Sequence, residues 1–332
     1  MFGRQALELD RDAEILRITT AIRRQVFELL HRRGVVLGLS GGVDSSLVAA
    51  LCATALGPRH VLGLLMPDRD SSDDSLRLGR LAAEKLGLET LLEPIGPTAE
   101  AAGCYARQAA AIRSVFPGYG EGWRCKLTLP SPLAKERLPI SLLTVERPGG
   151  ERSVARLSGE AYRALVAATN YKQRLRKMAE YYHADRLGYA VAGTPNRLEH
   201  SLGFFVKQGD GAADLKPIAH LYKSQVYALA EALALPEEIR TRPPTTDTFS
   251  LPQTQEEFYF ALPLELMDVC LYALDHGVPA AEAAAAVGLT EAQVERVYGD
   301  VQAKRRATRY LHEPPLFVEA APESAEPVAR GA

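Results

Sequence analysis

The stretch Ser40-Gly41-Gly42-Val43-Asp44-Ser45-Ser46 concentrates the residue types most able to hold an anion. Adjacent glycines let a backbone bend sharply and come close to a ligand. An apolar run (VVLGL, 35–39) precedes the heptapeptide and helical periodicity (44–56) follows it, so it lies where a strand turns into a helix. Its N–H groups, the hydroxyls of Ser40, Ser45 and Ser46, and the helix N-terminus then face one small cup suited to phosphate oxygens. A bare Ser-Gly-Gly reads equally well as a capped turn; the full heptapeptide behind a buried strand favours phosphate. It is not the Walker loop, because no G-x-x-x-x-G-K-[ST] occurs.

Other charged residues are ambiguous when taken singly. Glu199 reads as a solvated helix residue, and Lys207 and Lys223 read as surface lysines. Arg174 and Arg176 are two apart and do not share a helix face, so one meets substrate and the other meets solvent or a partner. Lys304, Arg305, Arg306 and Arg309 form a basic run that suits a solvated last turn better than a phosphate site. His183, His200 and His220 lack metal-ligand spacing and default to structural roles. The GYGEG run (118–122) does not follow a buried strand and carries no dinucleotide-binding weight.

The elements that must position these residues alternate. A helix over 10–33 leads into a buried strand at 35–39 and a helix at 44–56. A strand at 61–66, a helix at 74–87 and a strand at 89–95 follow. That rhythm predicts βαβ units and an α/β, doubly wound parallel sheet. Residues 115–155 hold Pro, Gly and the single Trp without clear periodicity; LPISLLTVE there reads as a strand of an inserted hairpin or lid. A long helix (158–187), a strand (189–193) and a helix (222–234) complete the main unit, and helices at 264–276, 279–287 and 290–311 follow. The expected organisation is a domain over 1–250 with an insertion at about 100–157, a helical extension over 251–312, and a disordered Pro- and Glu-rich tail over 313–332.

With 332 residues, 47% of them hydrophobic, the chain can bury a large core. Lys and Arg number 39 against 41 Asp and Glu, so a nucleic-acid-coating surface is not expected. No apolar run is long enough to cross a membrane and the N-terminus lacks a secretion signal. The four cysteines form no C-x-x-C pair, which suits a reducing cytoplasm.

The heptapeptide resembles the PP-loop of the ATP pyrophosphatases, and further segments are similar to the ammonia-dependent NAD synthetases among them. These are Met66-Pro67-Asp68-Arg69-Asp70-Ser71-Ser72, Asn170-Tyr171-Lys172-Gln173-Arg174-Leu175-Arg176 and Gly193-Thr194-Pro195-Asn196-Arg197-Leu198-Glu199. Residues 204–214 (FFVKQGDGAAD), 221–226 (LYKSQV) and 243–247 (PPTTD) extend the match in the same order. The resemblance implies ATP and Mg²⁺, with Ser40, Gly41, Gly42, Val43, Asp44, Ser45, Ser46, Met66, Arg69, Thr194, Lys223 and Thr245 around the nucleotide. It implies Asp44 and Glu199 as metal ligands, and Asp44, Lys223, Asp210 and Asp214 as catalytic groups. Asn170, Arg174, Lys207, Asp214, Lys304 and Arg305 would bind the carboxylate substrate, best read as deamido-NAD.

The implied chemistry is attack of that carboxylate on the α-phosphorus of ATP, release of pyrophosphate, and displacement of AMP by ammonia. The resemblance also implies a cytoplasmic homodimer. The absence of a glutaminase domain implies free ammonia or a separate supplying enzyme. Gln173 stands where the family has Ala, Lys177 displaces a Met, and the chain after Asp247 departs from the family's acidic, mobile region. An amide ligase for a different carboxylic acid therefore stays open. A PP-loop tRNA-modifying enzyme would bring a basic groove and usually added cysteines or an RNA-binding domain, neither of which is visible in this sequence, and a non-catalytic nucleotide-binding regulator is the remaining alternative.

Overall fold

The apolar run at 35–39 becomes the central strand of a parallel sheet because helices cover both of its faces. The structure is a computed structural model that describes residues 2–133 and 140–319. Helix α1 (Arg11–Arg23) opens on Asp10, whose side chain accepts the Ala13 N–H at 3.0 Å, and continues as a π-turn over Arg24–Leu29. The helix expected to reach residue 33 stops there, and His31 takes a left-handed φ of 51°. Strand β1 (Val35–Gly38), helix α2 (Val43–Leu56), strand β2 (Val61–Leu65), helix α3 (Asp73–Leu86) and strand β3 (Glu89–Leu92) then alternate as the periodicity predicts.

Short helices α4 (Gly96–Ala101) and α5 (Cys104–Arg113) lead into β4 (Arg124–Thr128), β5 (Leu142–Glu146) and β6 (Arg152–Arg156). The 29-residue helix α6 (Gly159–Leu187) returns the chain to strand β7 (Ala190–Val191). Helices α7 (Arg197–Leu202), α8 (Lys223–Ala232) and α9 (Glu237–Thr241) precede α10 (Leu264–Asp275), α11 (Ala280–Val287) and α12 (Glu291–His312). Residues 313–317 continue without helix, and the tail from residue 320 lies outside the described residues.

Among the described residues the parallel sheet runs β3-β2-β1-β7. Side chains alternate across it. Val35 and Leu37 join Ile18, Ile22, Leu47, Leu51 and Val226 on one side. Val36 and Leu64 join Ala99, Cys104, Tyr105, Leu175 and Ala184 on the other. The chain moves outward from β1 to β3 and then jumps back to β7 on the opposite flank. That reversal places a switch point at the carboxyl ends of β1 and β7, where open α/β sheets hold their ligands.

The region read as a single strand is a three-stranded antiparallel sheet, β4-β5-β6, with pairs such as Leu127↔Leu143 and Val145↔Ser153. Cys125, Leu127, Leu143 and Val145 point into a cluster with Ile112 and Leu165, so only one face is apolar. The chain past residue 250 is bound to this sheet, since Leu251 N donates to Cys125 O (3.0 Å) and Leu129 N to Glu257 O (2.8 Å). The C-terminal helices share a core with Leu198, Leu202 and Tyr222.

His183 and His220 have structural partners, Glu93 at 2.9 Å and Glu14 at 2.8 Å. His200 lies against the Phe205 and His312 rings, and burial pushes its pKa down to about 4. The folded chain therefore favours neutral His200, whereas the unfolded chain takes up a proton near the ordinary value of 6.5. The stability this supplies is complete above 6.5 and lost as the pH falls towards 4. Thermal unfolding of His200→Phe should show a shallower fall in Tm across that interval.

Candidate active site

A cavity of about 260 Å³ opens at the switch point. Its floor is the loop after β1. Gly41 takes φ +74°, and a Cβ there would lie 2.5 Å from Ser75 O and 2.9 Å from Leu78 Cβ, so α3 closes over this glycine. The loop then fixes itself. Gly42 N donates to Ser40 Oγ at 3.3 Å, Ser45 Oγ donates to Gly42 O at 3.0 Å, and the two serine oxygens are 3.1 Å apart. Ser40, Gly42, Val43, Asp44 and Ser45 line the cavity. Ser46 does not: it is fully buried and its hydroxyl donates to Gly42 O at 2.9 Å, so it and Gly41 shape the loop from behind.

Charge is concentrated at this end. Asp44 Oδ2 pairs with Lys223 Nζ, and Asp44 Oδ1 accepts from Asn196 Nδ2 at 3.0 Å. Glu199 Oε2 accepts the Asn196 N–H at 3.1 Å and Oε1 accepts from Gln255 Nε2 at 2.9 Å. Asn196 and Glu199 also form the capping box of α7, which points both side chains inward. Asp268 of α10 accepts from Lys223 N (3.1 Å) and Ser224 N (2.7 Å), anchoring the start of α8.

Burial, then the neighbouring Asp44 charge, pushes Glu199 up to about 8. Burial would lower Lys223, but the Asp44 and Glu199 carboxylates outweigh it and hold it above its ordinary value. Lys223 balances only one of the two carboxylates, so Glu199, with its raised value, ionises fully only when a second cation joins the cluster. An all-oxygen pair beside a phosphate cradle fits Mg²⁺, which takes one or two protein carboxylates and completes its shell with phosphates and water. Among the described residues no cluster of three or more His, Cys, Asp or Glu could hold a metal unaided.

Met66, Thr194 and Thr245 line the same cavity. Arg69 does not; its guanidinium stacks 3.6 Å over Tyr105, beside Asp70. Gln173, Arg176, Lys177 and Glu180 of α6 also line the cavity, with Asp210 beside the last three. Arg174 turns away to the surface, its Nε on Lys207 O at 3.3 Å, because residues 172, 173, 176, 177 and 180 share the inward face of α6.

Asn170 also lies outside the cavity lining. Lys207 donates to Tyr310 O and Glu313 O at 2.8 Å each. Asp214 ties its loop to β7 through the Val191 N–H (2.7 Å) and to Tyr181 OH (3.4 Å). Lys304 pairs with Asp300 at 2.7 Å, and Arg305 pairs with Asp275 at 2.7 Å.

Of the two arginines expected to part, Arg176 is the one at the cavity; it donates to Met66 O at 3.1 Å and lies 3.5 Å from Asp68. Further lining or supporting residues carried no individual role in the sequence. Lys172, fully buried, meets Asp68, Asp70 and Thr248 O. Arg242, Asp247 and Gln255 complete the rim, with Asp247 bonded to Ser75 and to Thr245 Oγ1 (3.2 Å). The Asn-x-x-Glu spacing of a capping box was the signal available for Asn196.

The sequence profile of the NAD synthase family matches residues 14–115 and 140–310. The chain belongs to the NAD synthase family. The NH(3)-dependent NAD(+) synthetase of Mesorhizobium japonicum is 63% identical over 311 residues, which cover 94% of this chain and 98% of that relative. Two solved structures share the fold. The NMN synthetase from Francisella tularensis superposes with a TM-score of 0.62 at 19% identity, covering 93% of this chain and 99% of its own. The NH3-dependent NAD synthetase from Campylobacter jejuni gives 0.60 at 23%, covering 94% and 100%. The family match spans the C-terminal helices as well as the sheet, and it leaves out residues 116–139, which include β4.

Proposed function

We propose that this chain is an ATP-dependent carbon–nitrogen ligase that converts deamido-NAD and ammonia to NAD, releasing AMP and pyrophosphate. The observation that carries the reading is one cavity lined by a serine–glycine cradle, by the Asp44–Lys223–Glu199 cluster and by Asp210. The full-length likeness to an NH(3)-dependent NAD(+) synthetase supports the choice of acceptor.

The substrate carboxylate attacks the α-phosphorus of ATP and the bond to pyrophosphate breaks. The loop N–H groups, Ser40, Ser45 and Lys223 hold the departing oxygens, and their fixed orientation spares reorganisation during the step. Asp44 and Glu199 would hold Mg²⁺, whose charge offsets that building on the phosphates. Thr194 and Thr245 bound the nucleotide, and Met66 packs beside it. Asp210 then takes a proton from ammonium, and the ammonia formed attacks the acyl-adenylate.

We read the chain as a cytoplasmic homodimer. Tyr171, Met178 and Tyr182 stand exposed on one face of α6 at helical spacing, with Arg174 among them. A second copy packed there would bring Asn170, Arg174 and Lys207 towards the acceptor; a monomer in sedimentation equilibrium would contradict this. No described helix is long and apolar enough to cross a membrane.

The reading is tested by supplying ATP, Mg²⁺, ammonium and deamido-NAD and following NAD. Steady NAD formation is expected. Gln173 and Lys177 in the cavity wall favour one rival, an amide ligase for another carboxylate. It would show itself as pyrophosphate exchange with other acids and none with deamido-NAD.

A further inference from the structure

The nucleotide chemistry leaves a buried ion pair in the cavity wall without a task. Lys177 and Glu180 are three residues apart on α6, with side chains only 7% and 8% exposed and Nζ to Oε2 at 2.6 Å. Both line the cavity, and both interact electrostatically with Asp210 in its wall. Gly38 at the end of β1 makes room for the pair, since a Cβ there would lie 3.2 Å from Glu180 Oε1. Burying two charges is costly, and a neutral pair would fill the space as well. Of the other lining carboxylates, Asp44 and Glu199 belong to the phosphate site, and Asp247 is bonded to Ser75 and Thr245.

Proton balance gives the pair a role. An ammonium ion carries two protons more than an amide nitrogen, and AMP leaves as a phosphate that needs neither. Resting on the amide-ligase reading above, we propose that Glu180 is a second catalytic base, taking the proton that Asp210 cannot. Asp210 accepts one proton from ammonium. The nitrogen lone pair then forms the bond to the acyl carbon, the carbon–oxygen bond to AMP breaks with its electrons on the phosphate oxygen, and Glu180 takes the surplus proton from nitrogen. Lys177 holds Glu180 as a carboxylate until that moment.

The charged surroundings are compatible with this order. From α6, Lys177 and Arg176 face Glu180, as does Tyr181; Asp210 faces it from the loop after α7. Lys216, the next cation along that loop, lies near Lys177 and Asp210. Burial, with Asp210 adding to it, raises Glu180 above the ordinary carboxylate range, which makes it a stronger proton acceptor; Lys177 opposes that rise.

The test compares two partial reactions in Glu180→Gln and in Lys177→Met/Glu180→Gln, where the wall is refilled by an uncharged pair. ATP–pyrophosphate exchange with deamido-NAD reads adenylation, and amide formation at saturating ammonium reads the second half. The ratio of amide formation to exchange should fall by about 10²-fold in both variants. The acid limb of the ammonium-dependent kcat/KM profile should drop from a two-proton to a one-proton slope. Equal losses in both reactions, or an unchanged ratio, would overturn the proposal. A wild-type chain that makes no amide overturns the functional reading, and the proposal with it, before any variant is compared.

Discussion

Lys223→Met should lower ATP–pyrophosphate exchange by about 10²–10³-fold, the usual loss when one fixed charge-stabilising group is removed from a developing anion. The ammonium is fully buried, paired with Asp44 and raised by Asp44 and Glu199 together, so it stays charged at any working pH. Removing it leaves the Asp44 carboxylate without its cation in a largely buried site and pushes Glu199 further towards its neutral form. The variant should therefore also lose stability, by roughly 3–5 kcal/mol if the cluster behaves like other broken buried pairs. Magnesium with ATP should restore part of that stability, because the cation offsets the same carboxylates. Exchange kinetics and urea unfolding with and without nucleotide measure the two effects separately.

Gly41→Ala should destabilise the chain and abolish exchange together, because the methyl group would sit under the phosphate cradle. A left-handed φ costs an L-residue about 1–2 kcal/mol. The added Cβ also meets Ser75 O at 2.5 Å and Leu78 Cβ at 2.9 Å, and overpacking costs about 1–3 kcal/mol more. Neither α3 nor the loop can yield without opening the cradle, since Gly42 and Ser40 are bonded within it. A stability loss of roughly 2–5 kcal/mol with abolished exchange is expected. Gly87→Ala is the contrasting control, because its φ of +64° is also left-handed while nothing lies within 4 Å of the added methyl.

The parallel sheet was legible because strands covered on both faces are written as unbroken apolar runs, and VVLGL and VLGLLM are such runs. The β4-β5-β6 sheet was not, because it is covered on one face only and β6 (Arg-Ser-Val-Ala-Arg) is polar on both. In the site, residues fixed by local chain geometry were readable: Ser40, Gly42, Asp44 and Ser45 lie on one turn, and Asn196–Glu199 is one capping box.

Residues placed by long-range packing were not readable. Gln255 reaches Glu199 only because the chain past 250 is bonded to β4, and Lys172 finds Asp68 and Asp70 across more than a hundred residues. Arg174 and Arg176 show the limit most clearly. Spacing separated their faces, but the packing of α6 against the sheet determines that Arg176 turns inward.

In the proposed reaction the β1–α2 loop and the Asp44–Glu199 pair grip the departing diphosphate. Calorimetric titration of magnesium pyrophosphate into the chain and into Glu199→Gln tests that most directly. Saturable binding that ATP displaces, and that weakens at least tenfold in the variant, is the predicted result. No binding to the chain, or equal affinity in the variant, would contradict it.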